Sequence, residues 1–365
     1  MLKSMRIAVL LLIAAGAGWA QSASPEQLFH EAVEAQRRGD DALAVGKYKQ
    51  ILKRYPGSVE VRANLGAALA GLGRYDEAIE QYRAALAKKD NPALRLNLAL
   101  AYYKKGAPRE AAAEFKVLHD ARPGDARIAT LLGDCYARMG QDAQAITVLG
   151  PLEDAHPGDL TVEWLLGSAL IRAGHRSAGL ELVERVAKQG NRPEAYLLAG
   201  QTALKINLFE RARDDAAAAL RLNPKLAGAY TLRGNALSFL GDTKGSIAAF
   251  RKALEETPDD FEAQLGLGAV LHTIRDLDGA REHLERALQL KPDSVLARYE
   301  WARLERTEGK VEAAVKDFEI VVRHDPDWAQ PHVELAALYF RLNRQADGER
   351  EHKIFDRLNA KPEKP

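Results

Sequence analysis

Cysteine is all but missing from this chain: Cys135 stands alone among 365 residues. A single thiol cannot make an internal disulfide, so stability must come from packing. Charge of one sign is equally scarce. Lys and Arg total 52 against 51 Asp and Glu, mixed along the chain without a basic block, which argues against nucleic acid as a partner. Val-Thr-Ile runs are poor while Ala, Leu, Arg and Glu are plentiful, favouring helix over strand. Catalytic motifs are absent as well. The nine histidines, at 30, 119, 156, 175, 272, 283, 324, 332 and 352, are scattered, without the close spacing of metal ligands. Most fall in turns or near helix ends and read as solvated. Gly266-Leu267-Gly268 starts like a dinucleotide fingerprint, but it lies in a helical pattern with no strand before it. His332-Val333-Glu334 lacks the second histidine of a zinc-protease helix. There is no Gly-rich phosphate loop and no Gly-x-Ser-x-Gly elbow. Asp and Glu read as solvated helix faces. No catalytic residue, metal ligand or cofactor is expected, and no enzyme.

Long apolar runs are confined to the first twenty residues. Lys3 and Arg6 precede the 14 uncharged residues Ile7 to Ala20, which end in Gly18-Trp19-Ala20. A basic start, a short apolar stretch and small residues before Ala20 form the pattern of a secretory signal peptide. The alternative is a retained anchor, but the run is short for a span, which needs about 20 residues. Residues 1–20 are therefore expected to be cleaved after Ala20. The mature chain would be periplasmic or secreted and would have no membrane span.

What is there is a period. Glycines recur at 39, 73, 106, 140, 174, 241 and 309, and the skipped points of the same 34-residue grid hold Asn207, Arg275 and Asn343. Self-similarity at this spacing means stacked supersecondary units. Units start near 25, 59, 92, 126, 160, 193, 227, 261, 295 and 329, each with two helical patterns and a turn at the grid point. In the unit from 126, Leu131, Leu132, Cys135 and Tyr136 share one helix face, and Ala145, Ile146, Leu149 and Leu152 share the next. Small residues, such as Gly66, Gly234 and Gly268, mark close helix crossings. Tyr48, Tyr82, Phe115, Leu149, Phe250, Leu284 and Phe318 are the expected bulky layer between the helices. Cys135 takes the tenth place of its unit, where others hold Ala68, Ala101, Ala169, Thr202 and Ala236. That is a packing slot rather than a reactive thiol.

Gly71-Leu72-Gly73-Arg74-Tyr75-Asp76-Glu77-Ala78 and the run from Ala253-Leu254 to Pro258 resemble the tetratricopeptide-repeat (TPR) pattern. The resemblance covers essentially everything after Pro25. It implies an all-α fold, a right-handed TPR superhelix (α-solenoid) of about nine to ten helix-turn-helix repeats over 21–342. A degenerate last repeat with a polar capping helix and tail follows over 329–365. Departures are mild. Asp90 and Asn191 stand where prolines close other units, and Ala216 stands where Phe is expected, so looser packing is anticipated there. Glu349, Arg350, Glu351, His352 and Lys353 make the last helix polar, as a terminal repeat requires.

In TPR proteins the first helix of each repeat lines a concave groove through places 2, 5, 6, 9, 12 and 13. Carried onto this chain, the resemblance implies Asn64, Asn97, Tyr103, Arg127, Trp164, Arg172, Lys205, Asn235, Arg303 and Arg306 as candidate peptide-binding residues. Phe29, Leu96, Arg138, Phe239, Tyr299 and Phe340 occupy further groove places. Aromatic and Arg side chains carry interface energy, and Asn can bond both polar groups of an extended backbone. The carboxylate clamp of chaperone-tail binders is absent: Phe29, Val33 and Ala93 stand where its Lys, Asn and Lys are required, and Asn97 where its Arg is. The expected function is a non-enzymatic scaffold that binds peptide segments of envelope or secreted partners. Two alternatives are a periplasmic holdase or assembly chaperone, and a regulatory subunit of an envelope biogenesis or secretion complex.

Overall fold

The Schellman closure of a helix needs a residue in the left-handed region, and this chain supplies one at every expected turn. A computed structural model describes residues 24–360, with positive φ at Gly39, Gly73, Gly106, Gly140, Gly174, Gly241 and Gly309, and at Asn207, Arg275 and Asn343. The next N–H reaches back five residues to a helix carbonyl, as in Asp242 N–H to Leu237 O at 2.9 Å and Asp276 N–H to Leu271 O at 3.0 Å.

Helices therefore come in pairs, and all regular elements among the described residues are helical. The first compact unit runs to Gly140. It holds α1 (Pro25–Arg37) with α2 (Asp41–Arg54), α3 (Val59–Gly71) with α4 (Tyr75–Leu86), α5 (Pro92–Lys105) with α6 (Pro108–Ala121), and α7 (Ala126–Arg138). The second unit starts at Gln141. It begins with α8 (Asp142–Ala155), followed by α9 (Leu160–Arg172) with α10 (Arg176–Gly190) and α11 (Pro193–Lys205) with α12 (Phe209–Leu222). Next come α13 (Ala229–Phe239) with α14 (Thr243–Glu256) and α15 (Phe261–Thr273) with α16 (Leu277–Leu290). The unit ends with α17 (Val295–Thr307), α18 (Val311–His324), α19 (Ala329–Arg341) and α20 (Gln345–Asn359). First helices begin at the expected unit starts except α13, where Gly228 adopts φ 78° and delays the helix to Ala229. The expected leader, 1–20, lies outside the described residues.

The expected core is the observed one. Tyr48, Phe115, Leu149, Phe250, Leu284 and Phe318 are fully buried, and Tyr82 nearly so. The small residues at the crossings are required: a Cβ on Gly234 would come within 2.6 Å of the Phe250 ring. Cys135 is buried, and burial pushes its thiol up to about 12, so it is no nucleophile at neutral pH. The looser packing expected around Ala216 is not found. Ala216 is fully buried, and Leu232 of α13 leans toward α11, so that a Cβ on Gly200 would meet its Cδ2 at 2.7 Å. One repeat later the sizes are exchanged. The large residue is Phe250 and the small one Gly266, whose added Cβ would meet the ring at 2.4 Å.

A polar feature recurs that the sequence pattern did not disclose. The fourth place of several units reaches back to the closing proline and forward to the second helix. Arg62 donates to Pro56 O at 3.0 Å and to Gln81 at 2.7 Å. Arg298 donates to Pro292 O at 3.2 Å and to Asp317 at 2.8 Å. Gln264 donates to Pro258 O at 2.8 Å and bonds His283 at 2.7 Å. His332 sits 3.0 Å from Pro326 O and 2.7 Å from Glu351. Where the proline is missing the clamp is rebuilt: Arg95 pairs with Asp90 at 2.9 Å and Glu114 at 2.5 Å. Glu163 accepts from Gly158 N–H at 3.2 Å and from Arg185 at 2.9 Å. Burial corrects two expectations, at clamps and elsewhere. His272 and His332 are buried rather than solvated, and Glu163, Glu184, Asp215, Glu305 and Glu351 are buried rather than on solvated faces. Glu351 in particular belongs to the inner side of α20, not to its polar exterior.

Candidate functional site

The side chains of a first helix that do not pack on the second helix of their own repeat can face the first helices alongside or the solvent. In the first unit α3 touches α5, and in the second α11 touches α13, which touches α15, which touches α17. First helices thus lie side by side along part of each unit.

In the first unit the layer is stitched at Tyr103. Its hydroxyl donates to Asp134 Oδ2 at 2.5 Å and accepts from Arg138 Nη2 at 2.9 Å. Arg138 also donates to Asp134 at 2.7 Å, and its guanidinium lies 4.8 Å from the Tyr103 ring centre. Burial, and then the bond to Asp134, push the Tyr103 phenol up to about 12, so it keeps the proton it donates. Asn64 is half-buried on α3, while Asn97 on α5 and Arg127 on α7 are exposed.

In the second unit Arg306 of α17 pairs with Glu334 of α19 at 2.5 Å. Arg303 pairs with Glu300 at 2.8 Å, whose carboxyl is raised by burial while Arg303 pulls it back. Arg172 donates through Nε and Nη2 to Asp142 Oδ1, at 2.9 and 2.7 Å. Trp164 is half-buried against the core of α10 and α11, with Arg192 5.6 Å from its ring centre. Asn235 is half-buried and Lys205 exposed.

The candidates therefore separate. Tyr103, Arg172, Arg303 and Arg306 spend their polar atoms on neighbours within the chain, and Trp164 spends its face. Asn97, Arg127 and Lys205 present themselves to solvent. Asp134 and Glu334, acidic partners at groove places, organise the layer. Among the described residues no group of His, Cys, Asp and Glu is placed to hold a metal. No helix among them is long and apolar enough to cross a membrane.

One model of the tetratricopeptide repeat matches residues 29–93, 165–227 and 231–295, and a second matches 73–132 and 102–162. The chain is 25% identical over 253 residues to the human protein O-mannosyl-transferase TMTC1, covering 68% of this chain and 25% of that protein. It is 33% identical over 110 residues to the TPR repeat-containing thioredoxin TTL4 of Arabidopsis thaliana, covering 30% of this chain and 16% of that protein. It thus spans a quarter or less of these relatives' length. Among solved structures it is similar to the APC/C hetero-tetramer Cut9-Hcn1, with TM-score 0.54 and 14% identity over 93% of this chain and 88% of that one. A TPR protein from Parabacteroides merdae gives TM-score 0.51 and 16% identity over 68% of this chain and 98% of that one. At these identities the structures speak for the fold alone. With more than half its length matched by the repeat model and its helices paired on the same grid, this chain belongs to the tetratricopeptide-repeat family.

Proposed function

We propose that the chain is an exported, non-enzymatic scaffold that binds peptide segments of envelope or secreted proteins on its first-helix layer. One observation carries this reading. Asn97 and Arg127 stand exposed on α5 and α7, which the bond of Tyr103 to Asp134 already ties together, and Lys205 stands exposed on α11. A face held in place before binding loses less entropy when a partner arrives. Peptide contacts would be spread over several repeats, each weak alone. The holdase alternative draws less support, because three of its four aromatic anchors are engaged, Phe340 alone being exposed. Phe29 packs edge-on against Tyr48 at 5.9 Å, Tyr103 is hydrogen-bonded, and Trp164 is covered. The mannosyl-transferase relative lends no activity here, since the shared stretch is a quarter of that protein.

The test is affinity capture from an envelope extract with the full chain, beside a variant carrying Asn97→Ala, Arg127→Ala and Lys205→Ala. A few partners lost from the variant is the expected result. A broad unselective set would favour the holdase, and the same partners on both would move the interface elsewhere. Export is tested separately by the N-terminal sequence of the protein recovered from the envelope fraction. Gln21 as first residue is expected; a cytoplasmic chain starting at Met1 would overturn export.

A further inference from the structure

In several repeats the residue just before a unit covers place 5 of the unit before it. Trp328 lies on Tyr299 with ring centres 4.4 Å apart. Arg192 covers Trp164. Leu226 joins Leu197 around one cluster. Asp260 accepts from Thr231 at 2.6 Å. In each case apolar meets apolar or cation, and polar meets polar. The unit from 92 differs from these four: an apolar place 5 has a polar residue at the covering position, as Phe29 has Ser58 and Leu265 has Ser294 in other repeats. Its place 5 is Leu96, and the covering position is Asp125, whose carboxylate caps Ile128 N–H at 3.1 Å.

The consequence is a crevice of 720 Å³ over Leu96, with Val117, Leu118 and Ala121 on one wall and Ile128 on the other. The equivalent crevice of the unit from 295 is lined by Ile320, Val321 and His324, which take the places of Val117, Leu118 and Ala121, and its volume is 50 Å³. Two residues differ at this place: Ala121 stands where the later repeat has His324, and Asp125 where it has Trp328. Val117 is left 48% exposed on its wall.

We propose that this crevice is a docking slot for an aromatic side chain, tryptophan above all, presented by a partner protein. The occupant follows from the chain itself: the repeat from 295 closes the same place with its own Trp328. The slot's volume lies within the range of ligand sites, about 300–1,000 Å³. Beside the aliphatic side chains, Asp90, Asn91, Arg95, Arg122 and Asp125 also line it, so apolar surface is accompanied by polar groups, and it opens between α5, α6 and α7 where a partner segment can pass. Most of its lining lies off the first helices, so it stands or falls independently of the peptide-binding reading given above.

The test is a titration of the full chain, methyl-labelled at Ile, Leu and Val, with N-acetyl-tryptophan amide, followed by NMR. Saturable shifts at Leu96, Val117 and Ile128 are expected, with a dissociation constant on the order of 1 mM for so small a ligand. N-acetyl-glutamate amide should bind at least ~10-fold more weakly, one unit of log affinity. Two variants should abolish the shifts by different routes. Ala121→Trp fills the slot from the wall, and Asp125→Trp supplies the cover as Trp328 does in the later repeat. Methyl signals of buried residues in the same unit but away from the slot, Leu65 and Leu69, report whether each variant is folded. Non-saturating shifts, equal binding of the glutamate compound, or unchanged binding to a folded Asp125→Trp chain would overturn the proposal.

Discussion

Glu351→Ala should release the last helix while leaving the rest of the chain folded. α20 packs on α19, and its buried residues are Gly348 and Glu351. Glu351 meets Nδ1 of His332 at 2.7 Å, with the two side chains 10% and 4% exposed, while Nε2 faces Pro326 O. Truncation leaves one ring nitrogen of a buried imidazole without a partner. Loss of one member of such a buried pair costs about 3 kcal/mol. At 1.36 kcal/mol per decade, the opening equilibrium of α20 rises by roughly 100-fold. Native-state hydrogen exchange reads this directly, since terminal elements open below the global free energy. Amides from Gly348 to Arg357 should exchange roughly 100-fold faster, and those of α15 and α16 should stay unchanged. The clamp reading makes a second demand. Gln264 and His283 build the same contact from neutral groups in an earlier repeat. The double variant His332→Gln, Glu351→His should therefore recover most of the protection. If Glu351→Ala alters α20 exchange by less than about threefold, the clamp contributes little at this site and the reasoning fails.

Three further outcomes are expected. Asp215 is buried near Glu184, and burial pushes its carboxyl up from 3.8 to about 7. Folding then takes up a proton between those values, so stability falls as pH rises from about 4 to 7. Asp215→Asn should flatten that slope and gain about 1–3 kcal/mol at pH 8, measured by urea unfolding at pH 5 and pH 8; a slope equal to the parent's would refute it. Arg275 holds φ 64° where most repeats use glycine, so Arg275→Gly should stabilise by about 0.5–1 kcal/mol despite the more flexible unfolded chain, seen as a raised melting temperature. Ala216→Phe should destabilise by about 2 kcal/mol by overpacking against Leu232. Adding Leu232→Gly should recover most of it, and denaturant midpoints of the four proteins in the cycle give the coupling.

The fold was legible because each turn imposes a backbone demand that few residues meet. Left-handed φ at one point per repeat selects glycine or asparagine, and the crossings select small residues, so both leave a periodic mark. The fourth-place clamp left none. Arg62, Arg95, Glu163, Gln264, Arg298 and His332 perform it with different chemistry, and only a polar partner 19 residues on, as in Arg62 with Gln81 or Arg298 with Asp317, could have betrayed it. Buried carboxylates were misread for the same reason: composition records a charge but not its partner.

The candidate site was legible to the level of a layer and no further. Place in the repeat assigned Arg306 and Arg127 alike to the first-helix layer, yet Arg306 reaches Glu334 of the next repeat while Arg127 faces solvent. The difference lies in the adjoining repeat, 28 residues away in the case of Arg306. The same holds at Leu96, an ordinary apolar residue at place 5 until Asp125 stands over it instead of a Trp328. In a stacked protein each repeat contacts chiefly its neighbours. The smallest element with a definable surface is therefore a pair of repeats. On the docking proposal, a position becomes available to a partner where two successive repeats fail to complete each other, as Leu96 and Asp125 do.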